Sequence, residues 1–381
     1  MSKLLEPVTI RGVTMRNRAV LSPMCQYSAR HGVANDWHFA HLARFAMGGF
    51  GTVIVEATGV VPEGRITYGC LGLWDDAQVG PLARIASFLA AEGAVPGIQL
   101  GHAGRKASTA LWYRGAFDET PEERMAGAFE EWEPLAPSAL MHAAEPGPSG
   151  FKRPRAMSAA EIEALPGQFA AAARRALRAG FKFVELHMAH GYLLNQFLSP
   201  LANHRTDEWG GSRENRMRLP LAVVREVRSV WPEDLPLAVR ISTVDAVEGG
   251  VTVEDSIALA RALKAEGVDV VTCSSGGFDG ARFSVGPGYQ VAHARAVREG
   301  AGIATMAVGL LGAPEEAEAV IAEGAADFVA LGRPALDNPN WPLHARFALG
   351  GCEDPYGEWP KQEGFAIRNM DRALKARMFQ S

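Results

Sequence analysis

The sequence predicts an α/β protein: a closed (β/α)8 barrel of the TIM type, with an amino-terminal β-hairpin plug, a long loop after the third strand and a carboxy-terminal helical tail. Three observations carry this. Short apolar runs alternate with Ala-rich segments of helical spacing, about eight times in series. Such alternation requires a parallel sheet with crossover helices. Eight units in 381 residues suit a closed barrel better than an open doubly wound sheet. No GxGxxG follows the first strand, so a dinucleotide-binding half-domain has no support. We expect one domain over 1–381, with the barrel at about 17–350 and the tail at 351–381.

The elements follow in order. Residues 8–18, VTIRGVTMRNR, read as a hairpin around Gly12 that closes the amino-terminal end of the barrel. Ala19–Leu21 is the first barrel strand, and His38–Met47 a helix stopped by Gly48 and Gly49. Strand 52–57, helix 79–91 and strand 95–100 come next. From Ala107 to Met157 the rhythm breaks into Pro, Gly, Glu and aromatic residues, among them Trp112, Tyr113 and Trp132. A loop of that length with interleaved aromatics reads as an ordered lid. Ser158 with Glu161 three residues on forms a capping box for a helix running to Ala179. Strands then alternate with helices: a strand beginning at Phe181, helix 212–230, strand 235–242, helix 253–266, strand 269–274, helix 291–299, strand 303–308, helix 314–323, strand 327–331 and helix 341–349.

Composition narrows the class. With 48% hydrophobic and 21% charged residues the chain is ordinary for a globular protein, and a net charge of -5 does not suggest a polyanion binder. We expect no nucleic-acid partner. The four cysteines (Cys25, Cys70, Cys273 and Cys352) are far apart and form no CxxC, which argues against a zinc ribbon or an iron–sulfur cluster. MSKLLEPVTIRG has no apolar signal region and no run is long enough for a membrane span, so a cytoplasmic enzyme is expected.

In a parallel barrel the chemistry stands at the carboxyl ends of the strands. Those ends carry Cys25 and Tyr27, Ala57, Gln99 followed by Arg105 and Lys106, then His187, His190 and Tyr192, then Arg240, Ser274, Ser275, Gly309, and Gly332 with Arg333. The stretch Phe181–Asn195, FKFVELHMAHGYLLN, places two imidazoles and a phenol where a buried strand stops. Three readings are open for the pair: satisfied structural histidines, metal ligands without a supporting HExxH, or two N–H donors aimed at one oxygen. Arg240 is an isolated charge in the strand LAVRIS. It pairs structurally with Glu185 or serves a ligand rich in oxygen or nitrogen. Gly309 and Gly332 with Arg333 lie where barrels often hold phosphate. Cys25 as a nucleophile lacks an accompanying His–Asp or His–Asn arrangement.

The set SPMCQY, IQLGHAGRKA, HMAHGYLLNQFLSPLANHRTDEWGGSRENR, VRIS and LGRP resembles the Old Yellow Enzyme family of FMN-dependent ene-reductases, in particular its YqjM-like and xenobiotic-reductase branch. The likeness runs from about Pro7 to about Pro342, and the long histidine-containing block is the most specific part. The resemblance implies bound FMN, NADPH or NADH as electron donor, and an enone-type small molecule as substrate, its activated C=C bond taking hydride from flavin N5. It implies an NADPH dehydrogenase or ene-reductase that is a homodimer or homotetramer, with no metal. Position by position, Ser22, Pro23, Met24 and Cys25 would lie against the flavin, with Cys25 tuning its redox behaviour. Ala57 and Gln99 would contact the ring, and Arg240 would face its electron-rich edge. Gly309, Gly332 and Arg333 would hold the phosphate. His187 and His190 would bind the substrate oxygen with help from Tyr27, and Tyr192 would donate the proton. Lys106 would border flavin or substrate.

The likeness weakens in the tail. Trp359 and Gln362 are recognisable, but Glu363 stands where the related branch has Tyr, and Arg368 is the candidate for reaching a neighbouring subunit's site. Three alternatives remain at this stage: an amine- or dienoyl-thioester-handling flavin relative, a flavin-free barrel using Arg333 for substrate phosphate, and a non-catalytic flavin-binding or partner-binding module.

Overall fold

A computed structural model describes residues 2–112, 131–142, 151–350 and 354–378. β1 (Val8–Ile10) and β2 (Val13–Met15) pair antiparallel as the hairpin predicted. Its turn is fastened to the body where Gly12 N–H donates to Asp234 O at 2.8 Å. β3 (Ala19–Leu21), β4 (Thr52–Gly59) and β5 (Val95–Gly101) begin the barrel. β6 (Leu135–Ala136) and β7 (Arg155–Ala156) pair with each other inside the long loop. β8 (Phe183–Met188), β9 (Leu237–Ser242), β10 (Val270–Ser274), β11 (Ala304–Ala307) and β12 (Phe328–Leu331) complete it. The sheet closes in the order β3-β4-β5-β8-β9-β10-β11-β12, with β12 returning to β3. All eight are strands expected from sequence.

The two-residue period of the strands builds two cores. Val53, Val55, Leu186, Val239 and Ile241 face outward into the layer shared with the helices. Ile54, Phe183, Ala238, Val270 and Phe328 face inward and fill the barrel, and Met15 of the hairpin joins them, with Val8, Ile10 and Val13 packed alongside. The hairpin therefore plugs the amino-terminal end, and the opposite end is left for polar groups.

Local chemistry sets the element ends. Ser158 Oγ accepts Glu161 N–H at 3.3 Å while Glu161 Oε2 accepts Ser158 N–H at 2.8 Å, the expected capping box; such a cap is worth about 1 kcal/mol. The first helix spans Asp36–Met47, two residues longer than predicted, because Asn35 Oδ1 accepts Trp37 N–H at 3.0 Å. Phe181 does not join β8. Gly180 turns at φ 91° and Phe181 N–H donates to Ala176 O at 3.1 Å, which holds it to the preceding helix. Two short helices, Leu193–Leu198 and Arg333–Asp337, follow β8 and β12. Both are too brief to show a helical period. The tail forms the helix Lys361–Met378.

The described part of the long loop packs over the barrel mouth. Trp132 N–H donates to Ser108 Oγ at 2.9 Å and its indole N–H to Glu63 O at 2.9 Å. Trp112 stacks on Tyr27 with ring centroids 6.1 Å apart. Tyr113 and Cys352 lie outside the described residues. Among the described residues, no helix is long and apolar enough to cross a membrane.

Candidate active site

At the carboxyl ends of the strands lies an open cleft of ≈ 370 Å³. Ser22, Pro23 and Met24 line it from the end of β3, and His190 and Arg240 from the ends of β8 and β9. Gly309, Gly332 and Arg333 line its far side, beyond β11 and β12. Eight of the residues given a cofactor or substrate role from sequence thus meet in one space. Gly309 has φ 119°, and a Cβ there would sit 3.2 Å from the backbone N of Gln290, so the position requires glycine.

Arg240 does not pair with Glu185 in the way the structural reading supposed. Its Nη1 donates to Ser22 Oγ at 3.0 Å, and its Nε is buried without a hydrogen-bond partner among the described residues. Glu185 is occupied from the sides instead: Gln99 Nε2 donates to Oε1 at 2.7 Å and Thr272 Oγ1 to Oε2 at 2.5 Å. Burial pushes the Glu185 carboxyl up, with Arg240 opposing. Arg240 keeps its charge, since a guanidinium does not titrate in this range. The cleft therefore holds a fixed cation with an unused donor. Gln99 points into the barrel one level below, with its amide spent on Glu185.

The strand-end histidines come together with Tyr192. The rings of His187 and His190 lie 5.1 Å apart at 90°, and those of His187 and Tyr192 4.9 Å apart at 81°. His187 Nδ1 accepts the Ala189 N–H at 3.2 Å, which leaves Nε2 to carry the proton. His190 Nε2 lies 2.8 Å from Ser274 Oγ, and His190 adopts a left-handed φ of 60°. Burial first, then Arg240, holds both imidazoles well below the ordinary histidine value. Each is neutral at pH 7 with one N–H. Burial, reinforced by Cys25 and Cys70, pushes the Tyr192 phenol well up, so it keeps its proton.

Ala57, His187 and Tyr192 come together along a narrow crevice between β4, β5 and β8. Cys25, Tyr27 and Tyr192 pack together against Ile66, Cys70, Ala103 and Ala107. Tyr27 hydrogen-bonds the Cys25 sulfur, yet enclosure pushes that thiol well up. Cys25 is a protonated thiol, which disfavours a nucleophilic role.

Sequence reasoning missed part of this surface. Tyr289 and Gln290 also line the cleft, and Gln290 Nε2 donates to Ser275 Oγ at 2.6 Å and to Tyr289 Oη at 2.9 Å. They arrive on an irregular stretch with no motif or period to mark them. Behind the loop after β3, buried Glu56 accepts the Gln26 N–H at 2.6 Å, and His38 Nε2 lies 3.6 Å from its other oxygen. Arg368 of the tail pairs with Asp354 and lies over the Tyr356 ring, and Trp359 packs against His344. Among the described residues no cluster of three His, Cys, Asp or Glu side chains suits a metal ion.

Comparison with known proteins bears directly on this geometry. Residues 3–349 match the NADH:flavin oxidoreductase / NADH oxidase family. An NADPH dehydrogenase of Geobacillus thermodenitrificans (strain NG80-2) is 44% identical over 349 residues, covering 91% of this chain and 94% of that one. An old yellow enzyme homologue from Zymomonas mobilis superposes with a TM-score of 0.73 at 27% identity, over 95% of this chain and 98% of that one. A 2-naphthoyl-CoA reductase in complex with 2-naphthoyl-CoA superposes with a TM-score of 0.79 at 27% identity. That match covers 92% of this chain but spans only about half, 53%, of the reductase.

Proposed function

The chain belongs to the NADH:flavin oxidoreductase / NADH oxidase family, that of Old Yellow Enzyme, and is an FMN-dependent NADPH oxidoreductase; from that premise we propose that it reduces the activated C=C bond of α,β-unsaturated carbonyl compounds. The family match sets aside the flavin-free barrel. The observation that carries the finer reading is the His187–His190–Tyr192 cluster beside a cleft lined by Arg240.

The cleft suits FMN. Arg240 offers a buried cation with a free Nε–H toward an electron-rich ring, and Gly309 and Gly332 with Arg333 offer close backbone and a guanidinium fork toward a phosphate. Ser22, Pro23, Met24 and Cys25 would flank the ring, with Ala57 and Gln99 at its other side. FMN, when bound, supplies hydride from its N5.

The protein's own part is charge and position. His187 and His190 would each give one N–H to the substrate carbonyl oxygen, with Tyr27 assisting. As hydride reaches the β-carbon, negative charge gathers on that oxygen, and donors already in place stabilise it without reorganising. Neutral imidazoles donate while keeping their protons, so the acid must be another group. Tyr192, held protonated by burial, would deliver the proton to the α-carbon. The test is NADPH-driven turnover of a cyclic enone under nitrogen, with product analysis. Saturated ketone formed one-for-one with NADPH oxidised supports the reading. NADPH oxidation only on admitting oxygen, with the enone recovered intact, contradicts it.

A further inference from the structure

Lys106 ends the short turn Gly104–Lys106 after β5 and is buried. Burial first, then Arg105, pulls its ammonium down to about 7, and a buried amine needs hydrogen-bond partners. Its partners are two carbonyls on two different loops. Nζ donates to His190 O at 2.9 Å and to Gly277 O at 2.6 Å. The first belongs to the loop leaving β8, the second to the loop leaving β10.

These two loops touch through bare backbone. A Cβ on Gly277 would lie 2.0 Å from the carbonyl carbon of His190, and one on Gly191 would lie 2.2 Å from Gly277 O. Lys106 Nζ stands beside that contact, 3.1 Å from the same Gly191 Cβ position. His190 itself is strained for a residue with a side chain, at φ 60°. It is held on three sides: its N–H by Ser242 Oγ at 2.9 Å, its Nε2 by Ser274 Oγ at 2.8 Å, and its carbonyl by Lys106. Ser242 Oγ in turn donates to Gly276 O at 2.6 Å, so the serine and the lysine tie the same two loops from different atoms.

We propose that Lys106 is a positioning residue for His190: its side-chain nitrogen clamps the loops leaving β8 and β10 and so fixes where the His190 imidazole points. Its nitrogen also lies 5.8 Å from the centre of the Tyr192 ring. Its catalytic consequence rests on the ene-reductase reading, whereas the clamp does not.

The test uses the FMN-loaded enzyme and Lys106→Met, which keeps an unbranched stem and removes the donors. Amide exchange of residues 190–192 and 275–279 is expected to quicken in this variant while FMN remains bound. Affinity for a para-substituted phenol is expected to fall about tenfold, the scale of a charge-assisted hydrogen bond acting through His190. Lys106→Arg, which keeps donors, should recover part of that loss. The decisive comparison is the cycle with His190→Ala. In the His190→Ala background the further loss on Lys106→Met should shrink to less than about twofold. An undiminished loss there means direct contact with the ligand and overturns the proposal, as does unchanged exchange in both segments. If Lys106→Met fails to retain FMN, Lys106→Gln is put through the same readouts. A wild-type enzyme that binds no phenol removes the histidine pair from oxygen binding, and the exchange comparison still decides the clamp.

Discussion

His187 and His190 meet edge to face, their ring centroids 5.1 Å apart and their planes at 90°. Three residues apart in sequence, they converge because β8 ends at Met188 and the chain turns through two left-handed residues, His190 and Gly191. The first histidine stands on the strand and the second on its turn. Replacing either by alanine should weaken phenol binding at least about tenfold, the scale of one hydrogen bond to an anionic oxygen. FMN content should stay unchanged. Equilibrium titration followed by flavin absorbance checks this, and wild-type affinity in both variants would remove the pair from oxygen binding.

The same burial makes a pH prediction. Both imidazoles are held well below the ordinary value of 6.5, by burial first and Arg240 second. The two imidazoles should therefore contribute no inflection near pH 6.5 to phenol affinity. Stability responds differently. A histidine whose folded value is lowered binds fewer protons in the folded state than in the unfolded, so its contribution is lost as pH falls. His102, pulled down to about 4 by burial, does this between pH 6.5 and about 4. Buried Asp245, pushed up to about 6, acts in the opposite sense. The single residue is isolated by comparing wild type with His102→Asn in urea melts. The stability difference should move in favour of the variant as pH drops through that window, and a difference independent of pH would count against the buried neutral imidazole.

Tyr192→Phe removes the hydroxyl and keeps the ring against His187. Enone turnover should slow by on the order of 10²–10⁴, the usual worth of a positioned acid. Flavin reduction by NADPH should change far less. Stopped-flow measurement of the two half-reactions separates them, and equal slowing of both would argue against a proton donor.

Arg240→Met leaves Ser22 Oγ without its donor and the cleft without its buried cation. FMN affinity should fall at least about tenfold, and Arg240→Lys should recover only part because it lacks the planar fork. Fluorescence release of FMN on dilution measures both. Full retention by Arg240→Met would place the charge outside flavin binding.

Gly277→Ala tests the backbone contact beneath His190. At φ 114°, with a Cβ only 2.0 Å from His190 C, the alanine cannot be accommodated in place. Destabilisation of about 1–3 kcal/mol is expected from backbone strain, with weakened phenol binding. An unchanged melt would mean the two loops are not packed as described.

Much of this was legible in the chain. Each barrel strand is a short apolar run, and residues such as Ala238 and Arg240 share a face by alternation alone. Lateral partners were not legible, because they depend on register. Glu185 sits opposite Gln99 and Ala238, while Arg240 sits one level higher, opposite His187. That offset gives Glu185 to Gln99 and Thr272 and turns Arg240 toward Ser22. Tyr289 and Gln290 were invisible because an irregular loop delivers them. The role of Lys106 was hidden because its partners are carbonyls, which any residue supplies.

The most direct test of the account is a visible absorption titration of the FMN-loaded wild-type enzyme with a para-substituted phenol. The account predicts a saturable long-wavelength charge-transfer band, as the phenolate oxygen takes the N–H groups of His187 and His190 over the flavin. A flavin spectrum that shows no such band at saturating phenol would contradict the placement of the histidine pair above the cofactor.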